Sequence, residues 1–282
     1  MNALGFSFLY FAPRLDPSLH RWFDRLRHHG YTGAELPVVG ATTAELAATR
    51  RALDAAGLRA TAVGFATREA DPLSADAAVR RAAVDHLAKL AEHAAAIGAD
   101  VLAGPIHSAY GTFSEQPPTR DEFAHCVDVL RAAGERAARL GVMLAIEPLN
   151  RFECYFCNTA AQCNDLVRAV AHPNVRAALD THHTHIEEND VAAAIAASRD
   201  TLGHVQLSEN HRGTPGTGQV DFARVLAALR AIDYRGWFVV EAFSRHDPAF
   251  GSALRIWREL DRGAEAILAA GAAIVRGAAP YR

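Results

Sequence analysis

Lysine is almost missing from this chain of 282 residues. Lys89 is the only one, and arginine carries nearly all the positive charge. We attach no function to that deficit, which accompanies an alanine-rich composition. Basic excess is lacking too: the formal net charge is −3, so nothing advertises a nucleic-acid track. No apolar run is long enough to span a bilayer. The N-terminal stretch MNALGFSFLYFAPRLD has a short apolar segment but no basic leader, unlike a signal peptide, and a cytoplasmic protein without a membrane partner is the expectation. Cysteine is scarce, at four residues. Cys154 and Cys157 have zinc or redox spacing, yet only Cys163 lies near and a second ligand pair is missing, so Cys126, Cys154, Cys157 and Cys163 read as reduced bystanders. No phosphate-type glycine fingerprint follows an early strand. Gly213–Gly218 lacks both the GxGxxG order and the lysine of a P-loop, which argues against an open doubly wound sheet.

What is present is ample core material, with half of the residues hydrophobic, arranged as an alternation. Short apolar runs predict strands at Leu4–Phe11, Gly33–Val38, Arg59–Phe65, Val101–Ile106, Val142–Glu147, Val175–Asp180, His204–Leu207 and Trp237–Glu241. Longer amphipathic runs predict helices at Pro17–His29, Thr43–Ala56, Ala75–Ile97, Arg120–Leu140, Thr159–Val170, Asp190–Ala197, Phe222–Ile232 and Ser252–Ala269. Gly30, Gly57, Gly98 and Gly141 fall where helix C-terminal caps belong, and Gly236 is expected to do the same. Eight strand-helix units close a barrel, so the expected fold class is α/β, a (β/α)8 TIM barrel, with one domain over 1–282 and no Pro/Ser linker to divide it. The longest irregular loops, Ser108–Thr119 and Glu209–Val220, both follow a strand and so belong to the C-terminal rim.

Four of the apolar runs in the second half close on a polar residue: Glu147, Asp180, Gln206 and Glu241, with gaps of about 26 to 35 residues between them. That is the length of one strand-helix repeat. A parallel barrel gathers its strand C-termini on one rim, where chemistry sits. Three carboxylates and an amide converging there would repel one another without a cation, so a metal-dependent enzyme is the leading reading.

Each residue also has a plainer role to set against this. Glu147 could be a rim salt bridge, but an unpaired glutamate at a buried strand end is costly. Asp180 could merely cap the next helix; the histidines that follow, with His183 ahead of His182 and His185, argue for more. Gln206 counts only through its register with the other three. His204, one pleat deeper, is the second choice for that ligand position. Glu147 and Glu241, on strands five and eight, are expected on opposite sides of the ring, where two carboxylates facing each other across a substrate could relay a proton. Arg212 could reach substrate oxygens, and Glu153 could bind a hydroxyl or pair with Arg151. Phe8, Phe11 and Tyr110 could form an apolar wall, although core packing explains Phe8 equally well.

With EPLNRFE, LDTHHTHIEE, GHVQLSENHRGTPGTG and VVEAF in this order, the chain resembles the ketose 3-epimerases of the xylose-isomerase-like barrels. The likeness runs over nearly the whole chain and is densest from Val142 to Phe243. It implies a barrel with one divalent ion on the rim, typically manganese, with magnesium, cobalt or zinc as alternatives. By motif, Glu147, Asp180 and Glu241 would bind that ion, with Gln206 as the fourth ligand. Glu147 and Glu241 would also shuttle the proton, and Glu153, His183 and Arg212 would hold substrate oxygens. The epimerases carry histidine at the position of Gln206, whereas the hydroxypyruvate isomerase branch carries glutamine; an amide oxygen still suits a hard cation. Tyr110 falls where epimerases commonly carry tryptophan, and Ser7 lies near an expected aromatic.

The reaction implied is reversible 3-epimerisation of a free ketose through a cis-enediolate, with hydroxypyruvate isomerase-like aldose-ketose isomerisation as the alternative. A small sugar or keto acid is the expected partner. Barrels of this kind often pair through outer helices, so a dimer or tetramer is also expected. Two further readings stand behind these: a multi-zinc abasic-site endonuclease, opposed by the acidic balance, and a barrel that binds metal without turnover.

Overall fold

A computed structural model describes residues 2–277. Eight parallel strands run β1 Ala3–Ser7, β2 Gly33–Pro37, β3 Arg59–Val63, β4 Ala99–Gly104, β5 Met143–Ile146, β6 Val175–Asp180, β7 Leu202–Ser208 and β8 Trp237–Glu241. They close in sequence order into a barrel, β8 pairing back onto β1. Around them lie α1 Trp22–His28, α2 Thr43–Ala56, α3 Ala77–Ala96, α4 Arg120–Ala138, α5 Ala160–Val170, α6 Thr181–Glu187, α7 Val191–Ala197, α8 Phe222–Ala231, α9 Pro248–Ala253 and α10 Ala264–Val275.

Local chemistry explains the boundaries. The first turns of α2, α4 and α5 are closed by reciprocal capping boxes, Thr42 with Glu45, Thr119 with Glu122 and Thr159 with Gln162, each satisfying backbone donors that a helix start leaves unpaired. Gly30, Gly57, Gly98 and Gly141 all adopt positive φ past their helices. Gly236 does not; Asp233, at φ 62°, takes the left-handed position after α8 instead.

Three elements depart from expectation. The first apolar run breaks at Ser7, and Phe8–Tyr10 forms a 3-10 turn. Turning there buries Phe8 against Phe23, with ring centroids 5.4 Å apart, which a straight strand would not do. A short helix unforeseen from sequence, α6, begins directly on Asp180. Its Oδ1 accepts from the backbone N–H of His182 at 2.8 Å. The last helix is two: Asp247 caps α9, then Arg255 and Gly263 take positive φ before α10 begins.

The main core lies between strands and helices. A smaller cluster of Val101, Ala103, Ala145, Ala178, Trp237 and Val239 fills the lower barrel. Trp237 demands space there: a Cβ on Gly33 would lie 2.5 Å from its ring. Side chains alternate along a strand, so Glu241, two and four residues beyond Val239 and Trp237, must also point inward, one layer nearer the rim.

Candidate active site

β5 through β8 are consecutive in the ring, so the expected placement of Glu147 and Glu241 on opposite sides is corrected. They lie three strands apart, with Asp180 and Gln206 on the strands between, and the polar residues occupy one side of the rim. All four are buried.

Glu147 leaves β5 with its N–H bonded to Gly104 O at 3.0 Å, and its own carbonyl accepts from His107 Nε2 at 3.1 Å. Its Oε1 lies 3.4 Å from His183 Nε2, which is 3.7 Å from Asp180 Oδ2. Asp180 Oδ1 caps α6, and its Oδ2 lies on the side of His183 and Arg212. Arg212 Nη1 donates to Asp180 Oδ2 and to Glu241 Oε2, each at 2.7 Å. Gln206 Nε2 donates to Glu241 Oε1 at 3.1 Å. One contact network thus joins Glu147, His183, Asp180, Arg212, Glu241 and Gln206.

The electrostatics follow from burial. Desolvation raises the Glu147 carboxyl, with His183 partly opposing it. Desolvation also pushes Glu241 well above the usual carboxylate range, against the pull of Arg212. Burial would lower the Arg212 guanidinium, but Asp180, Glu241, Glu153 and Glu147 outweigh it and hold it above its ordinary value. Glu153 is held low: burial raises it, and the attraction of Arg212 and His183 overcomes that.

His183 is fixed by its other nitrogen. Nδ1 accepts from the backbone N–H of Asn150 at 2.9 Å, so the ring hydrogen is on Nε2, facing the cage. Arg212 Nη2 lies 3.0 Å from that same Nε2. Two donors facing each other repel, which favours movement of the guanidinium when an oxygen ligand arrives.

The loop carrying Arg212 is tied down by Glu209, whose carboxylate accepts from the backbone N–H groups of Asn210, Gly216 and Val220 at 2.8 to 3.0 Å. Arg212 itself sits at φ 64°, and its carbon lies 4.8 Å over the Phe243 ring. Glu153 accepts from Asn150 Nδ2 at 2.9 Å and Tyr110 OH at 3.3 Å. It does not pair with Arg151, which binds Glu187 instead. His182 is anchored on Asn210 O at 2.9 Å, and burial lowers its pKa.

A cavity of about 390 Å³ opens above Glu147, Glu153, Arg212 and Glu241. Its apolar wall is Leu9, Val39, Phe65, Phe243, Phe250 and Leu254, together with Tyr110. Phe8 and Phe11 belong to the hydrophobic core instead, drawn there by the aromatic cluster that bends the chain after β1. The cysteines are free and buried, and Cys126 Sγ is spent on His107 O at 3.2 Å.

The residues present fit a hard divalent cation. Carboxylate oxygens of Glu147 and Asp180 lie within 4.8 Å of each other and of a His183 ring nitrogen; the hydrogen on His183 Nε2 makes that residue a donor beside an ion and not one of its ligands. Gln206 Oε1 is buried without a hydrogen-bond partner among the described residues, a costly state that a metal bond would satisfy. Three rim carboxylates face one guanidinium, so a further positive charge is electrostatically welcome. A second group, Glu153, His182 and His183, shares His183 and offers only one carboxylate, a poorer match to a hard ion.

Sequence reasoning missed Glu35. It is fully buried on β2 and bonds Thr61, His204 and Gln206. The signal is a carboxylate within the apolar strand GAELP, which lies mid-strand and not at a strand end. His204, the second choice for a ligand position, is spent on Glu35 at 2.8 Å.

Comparison with known proteins gives a consistent picture. Residues 23–265 match the family described as Xylose isomerase-like TIM barrel. The L-ribulose 3-epimerase of Methylomonas sp. (strain DH-1) is 35% identical over 82% of this chain and 81% of its own. The D-psicose 3-epimerase of Agrobacterium fabrum is 33% identical over 79% and 77%. The crystal structure of a Methylomonas sp. D-allulose 3-epimerase in complex with D-allulose superposes with a TM-score of 0.90 at 30% identity, covering 98% of this chain and 96% of that one.

Proposed function

The chain belongs to the xylose isomerase-like TIM barrel family and, within it, to the ketose 3-epimerases; on that premise we propose that it inverts C3 of a free ketose with one divalent metal ion at the rim. What supports this reading is a rim on which Glu147, Asp180, Gln206 and Glu241 are all buried, with carboxylate oxygens of Glu147 and Asp180 within 4.8 Å of each other and a Gln206 oxygen without a hydrogen-bond partner among the described residues. These four would hold the ion, with manganese the expected occupant ahead of magnesium, cobalt or zinc. When bound, the ion would polarise the ketose carbonyl and offset negative charge developing on the sugar oxygens.

The chain's own residues supply the rest. Glu147 and Glu241 sit three strands apart, and a sugar carbon between them could lose its proton to whichever carboxylate is ionised, while the other, protonated beforehand, gives its own proton to the opposite face of the enediolate. Burial raises both groups, which favours carboxyls able to hold a proton between the two steps. His183 Nε2–H, oriented by Asn150, would donate to the C2 oxygen. Arg212 and Glu153 would hold hydroxyls, and Glu153, kept low by Arg212, accepts rather than donates. The apolar wall excludes water from the reacting carbon. We expect a cytoplasmic enzyme, assembled as a dimer or tetramer. Among the described residues, no helix is long and apolar enough to cross a membrane.

Incubating the manganese-loaded protein with D-allulose or D-tagatose in deuterated water tests the reading. Deuterium at C3 of the product supports it; label at C1 alone moves the assignment to aldose-ketose isomerisation, the reading in which Gln206 favours a small keto acid. Replacing Glu241 by Gln should lower kcat by at least about 10²-fold, the range for a lost proton-transfer group, and unaltered turnover would remove Glu241 from the proton path.

A further inference from the structure

Beneath the rim lies a second carboxylate layer that the proposed reaction does not use. Glu35 is fully buried on β2. Its Oε2 accepts from His204 Nε2 at 2.8 Å and from Thr61 Oγ1 at 3.1 Å, and its Oε1 accepts from Gln206 Nε2 at 3.1 Å. The same Gln206 nitrogen donates to Glu241 Oε1 at 3.1 Å. An amide nitrogen has two hydrogens, and here both meet carboxylate oxygens. Turning the amide over would set its oxygen against those two oxygens, so Glu35 and Glu241 fix which atom points which way. What remains is Gln206 Oε1, buried and without a partner among the described residues.

We propose that Glu35 is a positioning residue: it orients the Gln206 amide so that its carbonyl oxygen is delivered to the divalent ion. The inference rests on the metal reading of the rim. Gln206 is a flexible side chain with a choice of two atoms to present; a ligand of that kind needs an anchor on its other face, and partners behind a ligand typically tune metal affinity by 10- to 100-fold. Thr61 and His204 in turn hold Glu35, so the anchor is itself braced from β3 and β7.

The experiment is a double-mutant cycle read by the dissociation constant for Mn2+, measured by titration calorimetry on metal-free protein, with melting temperature as the folding control. Glu35→Gln should weaken Mn2+ binding tenfold or more. Glu35→Asp, which keeps the charge but draws the carboxylate back, should weaken it in the same direction and serves if Glu35→Gln folds poorly. Gln206→Leu should weaken binding, and adding Glu35→Gln to it should change affinity less than about twofold, because nothing is left to orient. An unchanged affinity in Glu35→Gln overturns the proposal. So does an equal loss from Glu35→Gln in the Gln206→Leu background, which would mean Glu35 acts only by its charge through space. Wild-type affinity in Gln206→Leu overturns it while leaving the other three ligands standing; no Mn2+ binding by the wild type overturns the metal reading as well.

Discussion

Replacing Arg212 by Met tests the electrostatics of the cage before any chemistry is measured. Arg212 Nη1 is 2.7 Å from both Asp180 Oδ2 and Glu241 Oε2. Each contact is worth roughly 6 kcal/mol gross at an effective dielectric of about 20, but desolvation of the guanidinium opposes this, and removing one partner of a buried ion pair typically costs about 3–5 kcal/mol net. An escape limits the loss. A stranded carboxylate can take up a proton, which at pH 7 costs about 4 kcal/mol for a group of ordinary pKa and at pH 5 only about 1–2 kcal/mol. Met keeps an unbranched apolar stem beside Phe243, so packing changes little. The metal-free variant should therefore melt some 6–10 °C below wild type at pH 7, taking about 2 °C per kcal/mol for a chain of this size. The deficit should shrink at pH 5, because the native variant binds protons that the unfolded chain does not. Saturating Mn2+ should recover more stability in the variant than in wild type, since no guanidinium has to yield. Calorimetry of chelator-treated protein at both pH values, and of the same protein reloaded with Mn2+, reads all three quantities. A deficit under about 1 kcal/mol at pH 7, or one that grows at pH 5, would refute this account of how the carboxylates are neutralised.

Three further outcomes are expected. Gly104→Ala should prevent soluble expression or cost more than about 3 kcal/mol, because φ is 129° and the new Cβ would lie 2.1 Å from Gly64 O; Gly111→Ala, where φ is 66° with nothing within 4 Å, should cost only about 1 kcal/mol, and equal effects on denaturation would contradict the close-approach argument. Hydrogen bonds from Arg25 and His29 hold the Glu265 carboxylate down to about 2, so its stabilisation is present above the unfolded value and is lost as pH falls from about 4.5 toward 2; Glu265→Gln should flatten the acid limb of the melting curve by under about 1 kcal/mol at this exposed pair, and a steeper limb would reverse the sign. Dialysis against a chelator should abolish turnover and lower the melting temperature, both returning with Mn2+, the ion contributing about 2.7 kcal/mol at a hundredfold excess over its dissociation constant; full activity after chelation would exclude a metal enzyme.

The barrel was legible in the sequence because its determinants are local and repeated. Hydrophobic period, capping residues and glycine punctuation mark most strands and helices without reference to the others, α6 and the break between α9 and α10 excepted, and parallel strands linked by helices have few ways to close. β6 and β8 end where the sequence placed them, on Asp180 and Glu241, since a charged side chain after an apolar run can end a strand only at a rim. Of the other two residues proposed to hold the ion, Glu147 stands one residue past β5 and Gln206 two residues short of the end of β7, so a strand end marked neither.

The partners of those residues were not legible. Arg212 enters the cage because a loop pinned by Glu209 takes a left-handed turn, and nothing within that loop names Asp180 or Glu241 as its destination. Glu35 and Gln206 are distant in the chain and meet only because the closed ring carries both strands. Sequence alone determined which groups stand on which strand and face; the closed barrel decided which of them touch, because side-chain pairing across a ring depends on strand register and loop course, which local pattern does not encode.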